Sequence, residues 1–388
     1  MIRETALEFD EAKVRQKLQV SFGPDFRIAP DPAKRWIKFT PETSHYVSVP
    51  ALLNELPIRA VLDTGATRSV ISPTTLSVLG LKSVGAINAM FFTTSVKMPI
   101  YRLRSLRVGG VAALNLEVGC HKLAMLEHAF PGEHAMLVGR DFLAQAVLEC
   151  QFPRHRARIT STPAIESDSS YRRLELSHSL CGLPVVPTIV EERFPEQTLI
   201  DLGSNATCTI SAEYAQQAGL LDRTVSTTLS AGLEGDVVGR QITLRSLEIG
   251  GYELREVPAC IIGDWKFDAP INLGWPAFIG FDLAFLFGRE LRIRGYEDEL
   301  SRPLARDRSG IGAQRFTDHL LVRHVSRNSP AEAEGLIAGH RIVAIDGRGI
   351  DLDYPVRGQR LGGKPAGSRI QLTLDGGRLI NLELRDYF

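Results

Sequence analysis

The chain repeats itself, and the repeat restricts its architecture more than any other feature. LRSLRVGG (Leu103–Gly110) returns as LRSLEIGG (Leu244–Gly251), an offset of 251 − 110 = 141 residues. Val138-Gly139-x-Asp141 returns at the same offset as Ile279-Gly280-x-Asp282, since 280 − 139 is again 141. Upstream, Val49-Pro50 leading to Leu62-Asp63-Thr64-Gly65 matches Val186-Pro187 leading to Ile200-Asp201-Leu202-Gly203. Here the offset is 201 − 63 = 138, so a small indel separates the blocks. Three matched blocks in one order predict two homologous lobes. At 388 residues the chain also exceeds one ordinary domain and has room for a further unit.

Each lobe reads as all-β. Val47–Pro50 and Pro57–Leu62 are short apolar runs on either side of the turn-like Asn54-Glu55, a hairpin pattern. Leu103–Val108 alternates and ends in Gly109-Gly110, a strand and a tight turn. Helical periodicity is confined to about two turns at Pro73–Leu79, at Ala212–Ala218 and after Gly139, with a further amphipathic helix expected at Glu8–Val20. The Ser/Thr/Pro-rich TSTPAIESDSS (Thr160–Ser170) reads as a linker, and a second, charged linker follows Glu297. The expected division is an N-terminal extension at 1–44, a first lobe at 45–160, a linker at 161–171, a second lobe at 172–297, a linker at 298–309 and a separate unit at 310–388.

The repeat also pairs two aspartates. Asp63 and Asp201 each follow an apolar strand (AVLD, TLID) and stand two residues before a glycine, where a turn brings backbone N–H groups close. Two adjacent carboxylates can divide amide hydrolysis between them: one activates water while the other protonates the carbonyl oxygen. They cannot both ionise easily, so such a pair shares a proton. One aspartate from each copy of a duplicated lobe would supply the pair by pseudo-twofold symmetry.

AVLDTGATRSVIS resembles the active-site segment of retropepsin-like aspartic proteases, and Met136–Leu143 (MLVGRDFL) resembles that family's second hallmark. The similarity covers roughly 45–160 and, more weakly, continues to about 297. It implies an aspartic endopeptidase acting on extended polypeptide, with Asp63 and Asp201 catalytic, no cofactor and no metal. The loops would be Thr64, Gly65 and Ala66 against Leu202, Gly203 and Ser204. In the family a hydroxyl residue follows each aspartate and bonds across the pseudo-dyad; Thr64 has the hydroxyl and Leu202 lacks it. The resemblance also implies flaps: Gly232 and Gly235 suit a mobile second-lobe hairpin tip, while Phe91 and Phe92 stand opposite as a wall shaping a hydrophobic subsite or as core. Ser204, where the first lobe has Ala66, is expected to donate to Asp201 and leave the shared proton on Asp63. An inactive peptide-binding scaffold, or a homodimer pairing two first lobes through Asp63, are the alternatives to a monomer with an internal pseudo-dimer.

LLVRHVSRNSPAEAEGLIAGHRIVAIDG (Leu320–Gly347) resembles a bacterial PDZ domain. Ser329 would cap a short helix with Pro330 at its first position and Gly335 past its end. Gly310, Ile311 and Gly312 sit where such domains present backbone N–H groups to a peptide's terminal carboxylate, and His340 replaces a common Asp. Recruitment of a partner or substrate peptide by strand addition is the implied role. The alternative is a packing module that braces the second lobe.

Composition narrows the setting. With 45 basic and 45 acidic residues the net charge is zero, which gives no electrostatic footprint for nucleic acid or an anionic membrane. No apolar run approaches the roughly 20 residues of a membrane span. The charged MIRETALEFDEAKVRQKLQV does not read as a signal peptide. Cys120, Cys150, Cys181, Cys208 and Cys260 are odd in number and form no C-x-x-C pair, so reduced thiols and a cytoplasmic setting are expected. Cys120, His121, His128 and His134 match no zinc spacing and are expected to be surface histidines and one core cysteine. G-x-S-x-G, Walker and H-E-x-x-H motifs are absent.

Overall fold

Short apolar strands punctuated by tight turns dominate this chain, and they assemble into three large sheets and one smaller unit. The computed structural model describes residues 26–28, 36–39, 46–160, 168–223, 226–233, 235–352, 354–355 and 360–388, and the statements below concern these residues. The helix expected at Glu8–Val20 and most of the linker after Thr160 lie outside them.

In the first lobe β1 (Ser48–Leu53) and β2 (Leu56–Leu62) form the expected hairpin. Its turn needs left-handed backbone at both Asn54 (φ 46°) and Glu55 (φ 71°), the pairing of a two-residue hairpin that follows strand twist. Then come β3 (Val70–Ile71), the hairpin β4 (Ser83–Met90) and β5 (Ser95–Arg102), β6 (Glu117–Cys120) and β7 (Ala135–Val138). Across the sheet the order runs β2-β7-β3-β6-β5-β4. Between β3 and β4 lies α1 (Pro73–Leu79), capped by the Ser72 hydroxyl and closed by Gly80 in left-handed backbone.

The second lobe repeats this order. β8 (Pro184–Val190), β9 (Glu196–Asp201), β10 (Cys208–Ser211), the hairpin β11 (Ser226–Gly232) and β12 (Gly235–Ile249), β13 (Tyr252–Ile262) and β14 (Ile271–Gly274) follow along the chain. From β9 they run β9-β14-β10-β13-β12-β11 across the sheet. In both lobes the strand carrying the aspartate lies parallel to the last strand, β2 against β7 and β9 against β14.

That pairing corrects one sequence match. Gly274 pairs with Asp201 on β14, and Gly139 follows the Val138–Leu62 pair on β7, so Gly274 is the counterpart of Gly139. The offset is 274 − 139 = 135, not 141. Fourteen residues separate Cys120 from Ala135, while eight separate Ile262 from Ile271, and these six missing residues account for the change. Ile279 and Gly280 instead lead into β15 (Phe281–Leu286).

β15 lies in a sheet joining the lobes, with order 172–175, 290–295, β15, 147–151, 156–160 and 37–38. Its buried Asp282 carboxylate meets Arg294 at 2.6 Å, the Tyr296 hydroxyl at 2.9 Å and Gln151 Nε2 at 3.0 Å. Residues of both lobes form one continuous apolar core. The last unit has a separate core and a sheet ordered 311–315, 320–325, 341–345, 369–374, 379–383. Ser329 caps its short helix Pro330–Ala333, as the sequence leads one to expect.

Candidate active site

Each aspartate sits where its strand ends and the chain turns before re-entering the core. Asp63 N–H donates to Val138 O at 3.0 Å, and Asp201 closes β9 beside Gly274. Gly139 and Gly274 lie under the two loops. A Cβ on Gly139 would stand 2.9 Å from Ala66 O, and one on Gly274 would stand 2.6 Å from Ser204 O. Both positions therefore require glycine, and the same loop geometry is built twice.

The two loops meet. Asp63 and Asp201 are buried, at 8% and 7% exposure, and lie close enough for each carboxyl to act on the other's titration. Gly65 and Gly203 make this approach possible: a Cβ on Gly65 would stand 2.4 Å from Asp201 Cγ, and one on Gly203 would stand 2.4 Å from Asp63 Cγ. Each glycine thus makes room for the opposite carboxyl, a role that sequence reading assigned only to N–H access.

The bridge between the loops comes from one side. Thr64 Oγ1 donates to Ile200 O at 2.6 Å and accepts from Leu202 N–H at 2.9 Å. Leu202 is wholly buried in the inter-lobe core, so it fills an apolar pocket and is not a defect at the loop. Behind the first loop, Asp141 accepts from Ser69 N–H at 2.9 Å and from Ser69 Oγ at 2.7 Å, while Gly139 N–H donates to Ser69 Oγ at 3.0 Å. Ser69 escaped sequence reading because its counterpart by strand register, Cys208, has no hydroxyl to repeat the pattern.

Electrostatically the pair is unequal. Burial holds the Asp63 carboxyl well above the usual carboxylate range, and negative charge on Asp201 pushes it further. Burial raises Asp201 as well, but hydrogen bonds from Gly203 N–H (2.9 Å), Asn272 Nδ2 (3.3 Å) and Asp63 favour its ionised form. Backbone N–H groups of Gly65 and Ala66 favour the charged form of Asp63 as well, but the side-chain donor Asn272 has no counterpart there. The proton therefore sits on Asp63. Ser204 also favours the ionised form of Asp201, but through its backbone N–H and not, as expected, its hydroxyl, which the loop turns toward its own backbone to accept from Ala206 N–H at 3.3 Å.

Both hairpins expected to act as flaps are present, and each tip docks on the opposite lobe. At the end of β4 and β5, Phe92 places its ring 4.9 Å from both Trp265 and Phe267, and its carbonyl accepts from Lys266 N–H at 2.9 Å. Phe91 is buried with its ring 5.4 Å from His121. Both rings thus anchor the tip. Gly232 and Gly235 pair across the tip of β11 and β12, with Gly235 at φ 109°. Beside them, Leu233 packs against a first-lobe cluster and its carbonyl lies 2.9 Å from His121 Nε2.

The 310–312 loop is internally engaged: Gly310 N–H donates to Asp307 Oδ2 at 2.6 Å, and Ile311 N–H to Ser309 Oγ at 3.1 Å. The last unit leans on the second flap through His324 Nε2 and Thr227 Oγ1 at 2.9 Å, and through Arg323 and Asp236 at 2.7 Å. It also meets the first lobe, where Gln314 Nε2 lies 2.5 Å from His128 Nε2. Among the described residues no group of three or more His, Cys, Asp or Glu is arranged to hold a metal ion, and no helix is long and apolar enough to cross a membrane.

An aspartyl protease family model matches each lobe. The matches cover 49–142 and 186–277, and their ends are offset by 277 − 142 = 135, the offset that relates Gly139 to Gly274. Among solved structures, the aspartic proteinase from Irpex lacteus is 11% identical, with a TM-score of 0.43 over 69% of this chain and 98% of that one. Basic 7S globulin from soybean is 9% identical, with a TM-score of 0.41 over 70% of this chain and 95% of that one. No curated protein matches the sequence. Over both lobes the chain is similar to aspartyl proteases, and its build is mainly β.

Proposed function

We propose that this protein is an aspartic endopeptidase of retropepsin-like build that cleaves extended polypeptide with a single-chain Asp63–Asp201 pair. One observation carries the reading: two buried carboxyls from equivalent loops are brought together, each against the glycine of the opposite loop, and glycine at 65 and 203 makes room for them. In the reaction, ionised Asp201 takes a proton from a water held between the carboxyls as that water attacks the scissile carbonyl. Protonated Asp63 donates to the carbonyl oxygen. As the C–N bond breaks, Asp201 passes its proton to the leaving nitrogen while Asp63 recovers one from a hydroxyl of the tetrahedral intermediate, which leaves as the new carboxyl terminus. Water attacks and no acyl-enzyme forms.

The flap hairpins β4–β5 and β11–β12 would open to admit an extended chain and pair with its backbone. The 310–388 unit is read as PDZ-like, with Ile311–Arg315 at its sheet edge as the place for strand addition. A dimer of two first lobes would have to part Asp63 from the Asp201 it already meets, which favours the intramolecular pair. The test is incubation of an unfolded-protein library with wild-type and Asp63→Asn protein. New termini from wild-type alone support the endopeptidase; retention of peptides without cleavage by both would support a binding scaffold instead.

A further inference from the structure

One polar side chain in the core beside the two carboxyls belongs to neither loop. Asn272 lies on β14, 1% exposed, paired with Leu199 on β9 and Thr209 on β10. The first lobe, read through the 135-residue offset, has Leu137 at the same place, buried and apolar. The repeat therefore predicts a hydrophobic residue here, and the second lobe departs from it.

Asn272 Nδ2 donates to Asp201 Oδ2 at 3.3 Å, while Asn272 Oδ1 is buried with no hydrogen-bond partner among the described residues. A buried carbonyl oxygen without a donor is destabilising. A leucine, as in the first lobe, would avoid that cost, so the stability of β14 alone does not explain the amide. What the amide adds is a donor on one carboxyl of the pair. The carboxamide has N–H hydrogens only on Nδ2 and no ionisation of its own, so it distinguishes the charged from the neutral form of Asp201 without competing for the proton.

We propose that Asn272 is a positioning residue that breaks the symmetry of the carboxyl pair, holding Asp201 as the ionised member and leaving the proton on Asp63. This inference rests on the reading of the pair as the catalytic one. Among the described residues, the ionisable groups facing the pair are the two carboxyls themselves and the buried Tyr46 phenol beside Asp63. Tyr46 stays neutral through the acid range, because burial and the charge on Asp63 both push its phenol upward. With the direction fixed, the general base is always Asp201 and the general acid always Asp63, so a bound peptide meets one productive orientation instead of two.

The test uses the full chain with its aspartate carboxyls labelled with ¹³C, Asp63 and Asp201 being assigned through their Asn variants. In the wild type the Asp201 carboxyl should ionise first as pH rises. In Asn272→Leu the first ionisation of the pair should move to higher pH, because the anion has lost a donor, and the two carboxyls should share the step. The second ionisation should move less, since Asp201 is charged on both sides of it. The acidic limb of kcat/KM should follow the first ionisation while the basic limb holds, and Asn272→Thr, which keeps a donor, should show a smaller shift than Asn272→Leu. Asp63 ionising first in the wild type, or an unmoved Asp201 titration in folded Asn272→Leu, would overturn the proposal. The wild-type titration stands even if the leucine variant does not fold. The carboxyl titrations need no turnover, so they separate failure of this inference from failure of the endopeptidase reading, which would leave the titrations intact and the peptides uncut.

Discussion

Asp63 and Asp201 were legible in the sequence because the repeat aligns them, but the residues that hold them were less so. Gly65 and Gly203 are read easily as turn residues, yet their necessity comes from the carboxyl of the other lobe, which no local pattern encodes. Gly65→Ala should displace Asp201 and lower kcat/KM by about 10²-fold, the cost of a misplacement near 1 Å; unchanged turnover would contradict the geometry. Leu202 shows the opposite error, since a family comparison marks it as a missing hydroxyl while the fold uses it as core. Leu202→Thr should destabilise the protein by about 1–3 kcal/mol, because it removes apolar volume and buries a hydroxyl. A rise in denaturation midpoint would show instead that the missing hydroxyl weakens the second loop. Because the folded-state values of both aspartates are raised, the folded protein binds protons more tightly than the unfolded chain. Stability contributed by Asp63 is thus present in acid and falls as pH climbs from the ordinary carboxyl range through the raised value. Asp63→Asn should therefore melt higher than wild type at neutral pH, and the difference should shrink in acid; a constant difference would argue against the buried shared proton.

At the level of elements, the strands and the Asn54–Glu55 hairpin follow from apolar runs and turn residues, and the capped helix Pro73–Leu79 follows from Ser72 and Gly80. The register of the second lobe's last strand did not, because the six-residue shortening between Ile262 and Ile271 leaves a chance likeness at Ile279-Gly280 to mislead the alignment. That short connection carries Trp265 and Phe267, which receive Phe92 from the opposite flap. Hairpin tips rich in glycine or aromatic residues look mobile or core-like in isolation, and only the facing lobe decides between them. Phe92→Ala should loosen the first flap, and amide exchange across Ser83–Arg102 should quicken by about tenfold for each 1.4 kcal/mol lost. Unaltered exchange there would mean the docked tip does not restrain the hairpin.

Across the whole molecule, the lobes are joined by a sheet whose buried Asp282 gathers Arg294, Tyr296 and Gln151. Removing Arg294 leaves the buried carboxylate with only the more distant Arg154 guanidinium, at 3.5 Å, as a charge partner, so Arg294→Ala should cost about 3 kcal/mol in equilibrium unfolding; a neutral effect would show that the remaining contacts suffice. The C-terminal unit touches the second flap, as a packing module bracing the second lobe would, and also the first lobe, a contact that the sequence did not suggest. Bringing one aspartate from each lobe into a single buried pair is the outcome of this assembly, and it is tested most directly by kcat/KM of purified Asp201→Asn protein on an unfolded substrate in acid. The account predicts a loss of at least roughly 10²-fold with the fold intact, the scale of removing a positioned general base, whereas turnover near that of wild type would contradict it.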